Sequence, residues 1–287
     1  MNTRNISSTS QFKGTALDSD SLRSRAPSIF ASGPMTGVSG RYTFVPTARI
    51  VEGLRELDWV PVEVEEQRIR TELRRGYQKH LIRFRQTSQM QTLDEWNVEL
   101  VLLNSHDGGC AYQLHAGIYR RICSNGLVVA DGSFETIRFR HAGLDPDVVV
   151  QSSLRLMEFL PQLAQRVEQM RERMLEPVES LDLAEHALLL RYATVNESPI
   201  HPGTLLTARR VEDQGVDLWT TTNRVQENLI RGGVADGRRD SRGVLRTVRA
   251  LRGIDSKVTI NKGLWGIAER LLGGETQPVR ETVSLPV

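Results

Sequence analysis

The sequence predicts an α+β protein: a curved antiparallel sheet with a packed helix in the N-terminal half, followed by a mainly helical C-terminal half. Three observations carry that expectation. Apolar residues alternate with a period of two in several segments between Val60 and His141, the period changes to a helical one near Pro146 and stays changed, and dense turn signals separate the strand-like runs.

Residues 1–40 are rich in Ser, Thr and Gly, and their few apolar side chains do not offset the entropy of ordering the backbone, so a disordered arm is expected there. Order is expected from Arg41. Pro46-Thr47 precedes Ala48, Ile50, Val51, Leu54 and Leu57 at helical spacing, which predicts a short amphipathic helix with Thr47 as its N-cap, after a brief strand over Tyr42–Val45. Val60–Glu66 and His80–Arg85 alternate, and Trp96–Leu103 is rich in apolar residues. The turn signal Asn104-Ser105-His106-Asp107-Gly108-Gly109 then predicts an antiparallel hairpin of Trp96–Leu103 with Ala111–Ile122. Thr136–His141 alternates again, for roughly five to seven strands in residues 41–146.

Residues 147–287 read as the helical region. Val148, Val149, Leu154, Leu156, Leu160, Leu163, Val167, Met170 and Met174 keep a helical period, which predicts one long amphipathic helix kinked at Pro161. Leu181–Val195, Leu218–Ile230 and a small terminal stretch, Leu264–Leu272, read as further helices.

Composition limits the function classes. An apolar fraction of 39% over 287 residues supports a real core. No run approaches a membrane span and the first residues lack the apolar centre of a secretory signal, so the expected address is the cytoplasm, with no membrane partner. The two cysteines, Cys110 and Cys123, form no Cys-x-x-Cys pair and read as small buried hydrophobes. The six histidines are scattered without metal-ligand spacing, and neither a Gly-x-Ser-x-Gly elbow nor a complete phosphate-binding loop occurs. No cofactor, no metal and no catalytic residue are therefore expected. A metal-dependent enzyme acting on nucleotides or nucleic acid is the alternative, and it would draw on Asp107, Asp131 or Glu135 near His115.

Positive charge is carried almost entirely by arginine, since lysine occurs only at Lys13, Lys79, Lys257 and Lys262. The planar guanidinium fork suits phosphate recognition and stacking. Net charge is only +2, but residues 224–262 hold ten basic residues against four acidic ones. Within that segment Arg239, Arg242, Arg246 and Arg249 are spaced as one stripe of a helix. Arg83 and Arg85 lie two apart on a strand, so both project from the sheet face opposite Ile82 and Phe84, where they read as an exposed phosphate-binding row. Tyr112, His115 and Tyr119 are candidate stacking platforms nearby. Arg120 and Arg121 flank an Asn-Gly corner and form a candidate anion receptor, whereas Cys123, Asn125 and Gly126 read as architecture.

The element Arg120-x-x-Cys123-x-Asn125-Gly126-Leu127, placed after a β-rich half and before a long helical half, resembles the signature of domain of unknown function 932, a phage/plasmid-like protein family. The resemblance covers most of the chain after about residue 40. The stretch Trp219 to Gly233 looks like a second feature of that family. The implied setting is a phage, plasmid or integrative element. The order helix, hairpins, long helix is also similar to single-strand annealing proteins, an analogy of topology alone.

The functional expectation is a mobile-element accessory protein that binds nucleic acid, single-stranded DNA first, through Arg83, Arg85, Arg120, Arg121, Arg242, Arg246 and Arg249. A non-catalytic protein-interaction factor or homo-oligomer, using the long helix as its interface, is the further alternative.

Overall fold

The computed structural model describes residues 15–90, 96–120, 137–141, 143 and 145–273, and the backbone of residues 126–128. The architecture is α+β. Six strands form one sheet: β1 (Trp59–Glu66), β2 (His80–Gln86), β3 (Trp96–Asn104), β4 (Tyr112–Arg120), β5 (Gly126–Val128) and β6 (Ile137–Phe139). Every pairing is antiparallel, and β1 to β4 form a meander. Both short strands pair with β4, β5 along Gly117–Tyr119 and β6 along Tyr112–Leu114. The expected hairpin is β3–β4, with Leu103 opposite Gln113 beside the turn and Trp96 opposite Arg120 at the far end.

Alternation sorts the side chains of β2 to β4 onto two faces. Ile82, Phe84, Val98, Leu100, Leu102, Leu114, Ala116 and Ile118 enter the main core. They meet α2 (Thr47–Glu56) through Ile50 and Leu54, and α3 (Pro146–Glu172) through Leu156, Leu160 and Leu163. α3 is the predicted long helix. It opens on Pro146 behind the Asp145 cap, carries Pro161 inside, and spends its apolar stripe in this core, so that stripe is not a free interface.

The other sheet face is covered as well. α6 (Ile254–Leu271) lays Ile254 and Val258 against Val101, Leu103, Cys110 and Tyr119 in a second cluster. Lys257 reaches Glu65 at 2.8 Å, and Lys79 reaches Asp255 at 2.6 Å, fixing α6 to the β1 and β2 side. Its remaining apolar residues, including Leu264 and Trp265, join the main core beside α4 (Pro177–Leu189) and α5 (Leu218–Arg231). One core thus runs from Leu22 to Ala268 through both the sheet region and the helical region.

The segment expected as an arm over residues 1–40 is ordered from Thr15 onward. α1 (Ser19–Arg25) is capped by the Asp18 carboxylate, which accepts from the Ser21 N–H at 2.8 Å. Leu22, Ala26 and Ile29 follow at helical spacing and are all buried in the core. Residues 1–14 lie outside the described part. Two smaller expectations also fail. Tyr42–Val45 forms no strand, and Thr47 is the first helical residue with its hydroxyl turned inward instead of capping.

Leu22 is fully buried, so Leu22→Ala is expected to cost about 2–5 kcal/mol in urea unfolding. A loss under about 1 kcal/mol would mean that the N-terminal segment is not docked on the core.

Candidate nucleic-acid interface

The sheet arginines are not available to a ligand. Arg83 and Arg85 do share a face, as their spacing predicts, but α6 closes that face. Glu99 comes up between them from β3 with no solvent exposure, taking Arg83 Nε at 2.6 Å on one oxygen and Arg85 Nη2 at 2.6 Å on the other. The Arg83 guanidinium also stacks 3.4 Å over the Tyr119 ring. The expected exposed row is therefore a buried Arg–Glu–Arg triad. Tyr112, His115 and Tyr119 are buried too and offer no stacking platform.

Arg120 is likewise internal. Its Nη1 donates to Asp213 at 3.0 Å, and the other Asp213 oxygen takes Arg210 at 2.7 Å. Arg210 grips Glu227 of α5 with two nitrogens, at 2.9 and 2.6 Å. Arg120 thus ties the end of β4 to the turn at Val211–Asp213 and to α5, instead of forming an anion receptor. Arg121, Cys123 and Asn125 lie outside the described residues, and Gly126 opens β5 opposite Tyr119.

The Trp219–Gly233 stretch is α5 and its end. It is buried along nearly its whole length, and its amides are fasteners. Asn228 donates to the carbonyls of Leu205 and Thr207, both at 2.8 Å, and Gln226 donates to Asn261 of α6 at 2.9 Å.

A polar node lies inside the sheet region. Thr47 Oγ1 is 3.0 Å from His80 Nε2, 3.2 Å from His106 Nε2 and 3.0 Å from Asn104 Nδ2, and Asn104 Oδ1 meets His141 at 2.9 Å. A hydroxyl among imidazoles has the composition of a nucleophile site, but Thr47, His80 and His106 have no solvent exposure, so no substrate reaches it. Burial holds His80 down to about 3 and His106 to about 4, and it lowers His141 as well. Sequence spacing gives no hint of this node, because its histidines come from three separate segments.

The metal alternative gains no donor set. Among the described residues no group of three or more His, Cys, Asp or Glu is placed to hold a metal ion. Asp107 is occupied in its turn by the Ser105 hydroxyl at 2.7 Å and the Gly109 N–H at 2.9 Å. Asp131 and Glu135 lie outside the described residues. A cleft of about 420 Å³ between α3 and the ends of β2 and β3 is lined by Trp96, amides and apolar groups, and its Glu168 and Arg171 pair with each other at 3.5 Å.

Of the arginines expected to bind, the exposed ones are in the basic segment, and their setting differs from the predicted helix. After α5 the chain runs out from Gly232 and returns to Gly253 as two antiparallel stretches. Gly233 N donates to Val248 O at 2.8 Å, Val248 N to Val234 O at 3.2 Å, Arg246 N to Arg238 O at 2.8 Å and Asp240 N to Val244 O at 2.9 Å. The spacing of Arg239, Arg242, Arg246 and Arg249 mimics a helical stripe by coincidence. Gly237 at φ 91° and Gly243 at φ 78° turn the chain instead, and the Asp240 carboxylate accepts from the N–H groups of Arg242 and Val244, both at 2.9 Å.

This hairpin has a fixed base and an open tip. A Cβ on Gly232, at φ 68°, would approach Val248 O at 2.4 Å, so only glycine lets the return stretch pass that close. Val248 is buried, and Leu251 N bonds Ile230 O at 2.8 Å. Toward the tip Arg239 and Arg242 are exposed and Arg246 is half-buried, and at the base, beside Val248 and Leu251, Arg249 and Arg252 are exposed. Arg242 is 84% exposed with its pair to Asp240 stretched to 3.5 Å, and Arg246, Arg249 and Arg252 have no carboxylate partner among the described residues.

The family described as Domain of unknown function (DUF932) matches residues 34–265, and the chain belongs to it. It is 35% identical over 246 residues to UPF0380 protein YfjQ of Escherichia coli (strain K12), covering 86% of this chain and 88% of that one. UPF0380 protein YafZ of the same strain shows the same identity and coverage. No solved structure matches. No helix among the described residues is long and apolar enough to cross a membrane.

Two outcomes follow from the buried groups. Glu99→Gln strands two buried guanidiniums without a counter-charge and is expected to cost about 3–5 kcal/mol in denaturant unfolding. A change under about 1 kcal/mol would mean that water reaches the triad. The histidines set the acid limit. Their folded values lie below the ordinary 6.5, so the neutral fold is favoured above about pH 6.5 and loses stability as pH falls toward 4 and 3. At about 1.4 kcal/mol per pH unit, His80 and His106 each remove about 2 kcal/mol by pH 5. Urea midpoints at pH 7 and pH 5 measure this, and a flat profile that is unchanged in His80→Gln refutes it.

Proposed function

We propose that this chain is a nucleic-acid-binding accessory protein of a mobile element, and that its contact surface is the arginine hairpin between α5 and α6. The supporting observation is how the arginines expected to bind divide between the interior and the hairpin. Arg83, Arg85 and Arg120 are consumed by buried carboxylates, whereas Arg246, Arg249 and Arg252 have no carboxylate partner among the described residues; the hairpin's own acids, Asp236 and Asp240, pair with Arg238 and Arg242. Like charges held together in this way repel, and a polyanion relieves that cost. Arg246, Arg249 and Arg252 follow one another about 10 Å apart along an extended stretch, on alternating sides, so their charge is spread along the hairpin instead of gathered at one point. The single-strand annealing variant of this reading relied on an open sheet, and α6 covers that sheet. Single-stranded DNA remains the first ligand to try, because contacts to phosphate alone tolerate any sequence.

Binding of a labelled single-stranded oligonucleotide, followed by anisotropy between about 50 and 200 mM salt, tests the reading. The triple variant Arg242→Ala, Arg246→Ala, Arg249→Ala is expected to flatten the log–log salt slope by about 2, at roughly 0.7 per lost contact, while Arg155→Ala on the exposed side of α3 leaves it unchanged. No binding at about 50 mM salt, or an unaltered slope in the triple variant, removes the proposal.

A further inference from the structure

The hairpin tip carries something that a purely electrostatic arm does not need. Val244 and Leu245 are 58% and 43% exposed just after its turn, Leu245 opposite Arg239 and Val244 on the other side of the stretch, while Val248, nearer the base, is 1% exposed. They form an adjacent aliphatic pair in the most cationic part of the molecule, between Arg239, Arg242 and Arg246. The turn that presents them is locked. Asp240 accepts from two backbone N–H groups, Gly243 N bonds Asp240 O at 2.9 Å, and Arg239 Nη1 bonds Gly243 O at 2.7 Å.

Resting on the nucleic-acid reading, we propose that this tip is a wedge: Val244, the more exposed of the pair and the nearer to the turn, enters a base step while the flanking arginines hold the phosphates on either side. Apolar side chains slide between neighbouring bases at the cost of unstacking, and that cost is met only if the wedge is rigid and the backbone is gripped beside it. The locked turn supplies the rigidity and the arginines supply the grip. Aliphatic groups read no base edge, so the ligand is selected by how cheaply a step opens. Single strands and pyrimidine–purine steps are therefore preferred over a continuously stacked G·C duplex.

The test uses the full chain and oligonucleotides with 2-aminopurine inside a purine run, single-stranded and in duplex, recording anisotropy and 2-aminopurine emission together. Wild type is expected to raise emission about twofold or more on saturation, the rise being larger on the single strand. The double variant Val244→Ser, Leu245→Ser alters only exposed side chains, so its thermal midpoint stays at the wild-type value. It is expected to keep the wild-type salt slope and to lose the emission rise. Wild-type binding without a rise, or a rise that survives in the double variant, overturns the wedge and leaves phosphate contact standing. Absence of binding at low salt overturns both.

Discussion

Glu99 has no water to share its charge with, and most of the architecture depends on how that charge is met. Two guanidiniums on neighbouring positions of β2 close on it from one side, and in the β3–β4 register Gly117 lies opposite, adding no side chain there. With its charges paired inside, the outer sheet face accepts an apolar cover, and α6 supplies Ile254 and Val258. A bare pair of arginines on that face would exclude the helix, because an uncompensated buried charge costs more than the apolar contact returns. Seating α6 draws the end of the chain back onto the sheet and brings Leu264 and Trp265 to the main core beside α5. With the end of α5 and the start of α6 both fixed, the chain between them sends Val248 into the core at its base and leaves the rest outside. It projects as the arginine hairpin.

Much of the fold was legible because local periodicity decides strands and long helices. The hairpin β3–β4, the helix at Leu218–Arg231 and the change of period at Pro146 all follow from residues close in sequence. Which sheet face meets solvent does not, since α6 lies more than a hundred residues beyond β4. The parity of Arg83 and Arg85 was right, and their exposure was not. The hairpin had a readable signal that the arginine spacing hid: Asp240 and Gly243 form an Asp-x-x-Gly turn, and glycine at 232, 233 and 237 argues against a helix on its near side. The N-terminal segment was misjudged for a similar reason. Its composition is that of a loop, yet Leu22, Ala26 and Ile29 at helical spacing suffice to dock it behind the Asp18 cap.

One residue type serves two purposes here, and composition cannot separate them. Arg210 spans Asp213 and Glu227 because a guanidinium presents several donors in a plane, so one cation ties two carboxylates and, through Asp213, the end of β4. The same geometry turned outward meets phosphate. What distinguishes the two populations is a carboxylate within reach, which is a property of the folded chain. Arginine abundance alone is thus no guide to which arginines face solvent.

The hairpin also resolves a conflict between order and exposure. A flexible basic loop would lose conformational freedom on each contact and so give back part of its binding free energy. Here that cost is met during folding. Gly232 admits the return stretch at a distance no side chain tolerates, Val248 anchors it in the core, and the Asp240 turn closes the far end. Arg246, Arg249 and Arg252 therefore carry side chains without a carboxylate partner among the described residues, on a backbone held at both ends. On the proposed reading such an arm would engage a charged strand at little further entropic cost, whereas Arg83, Arg85 and Arg120 of the covered sheet present no charge to a ligand.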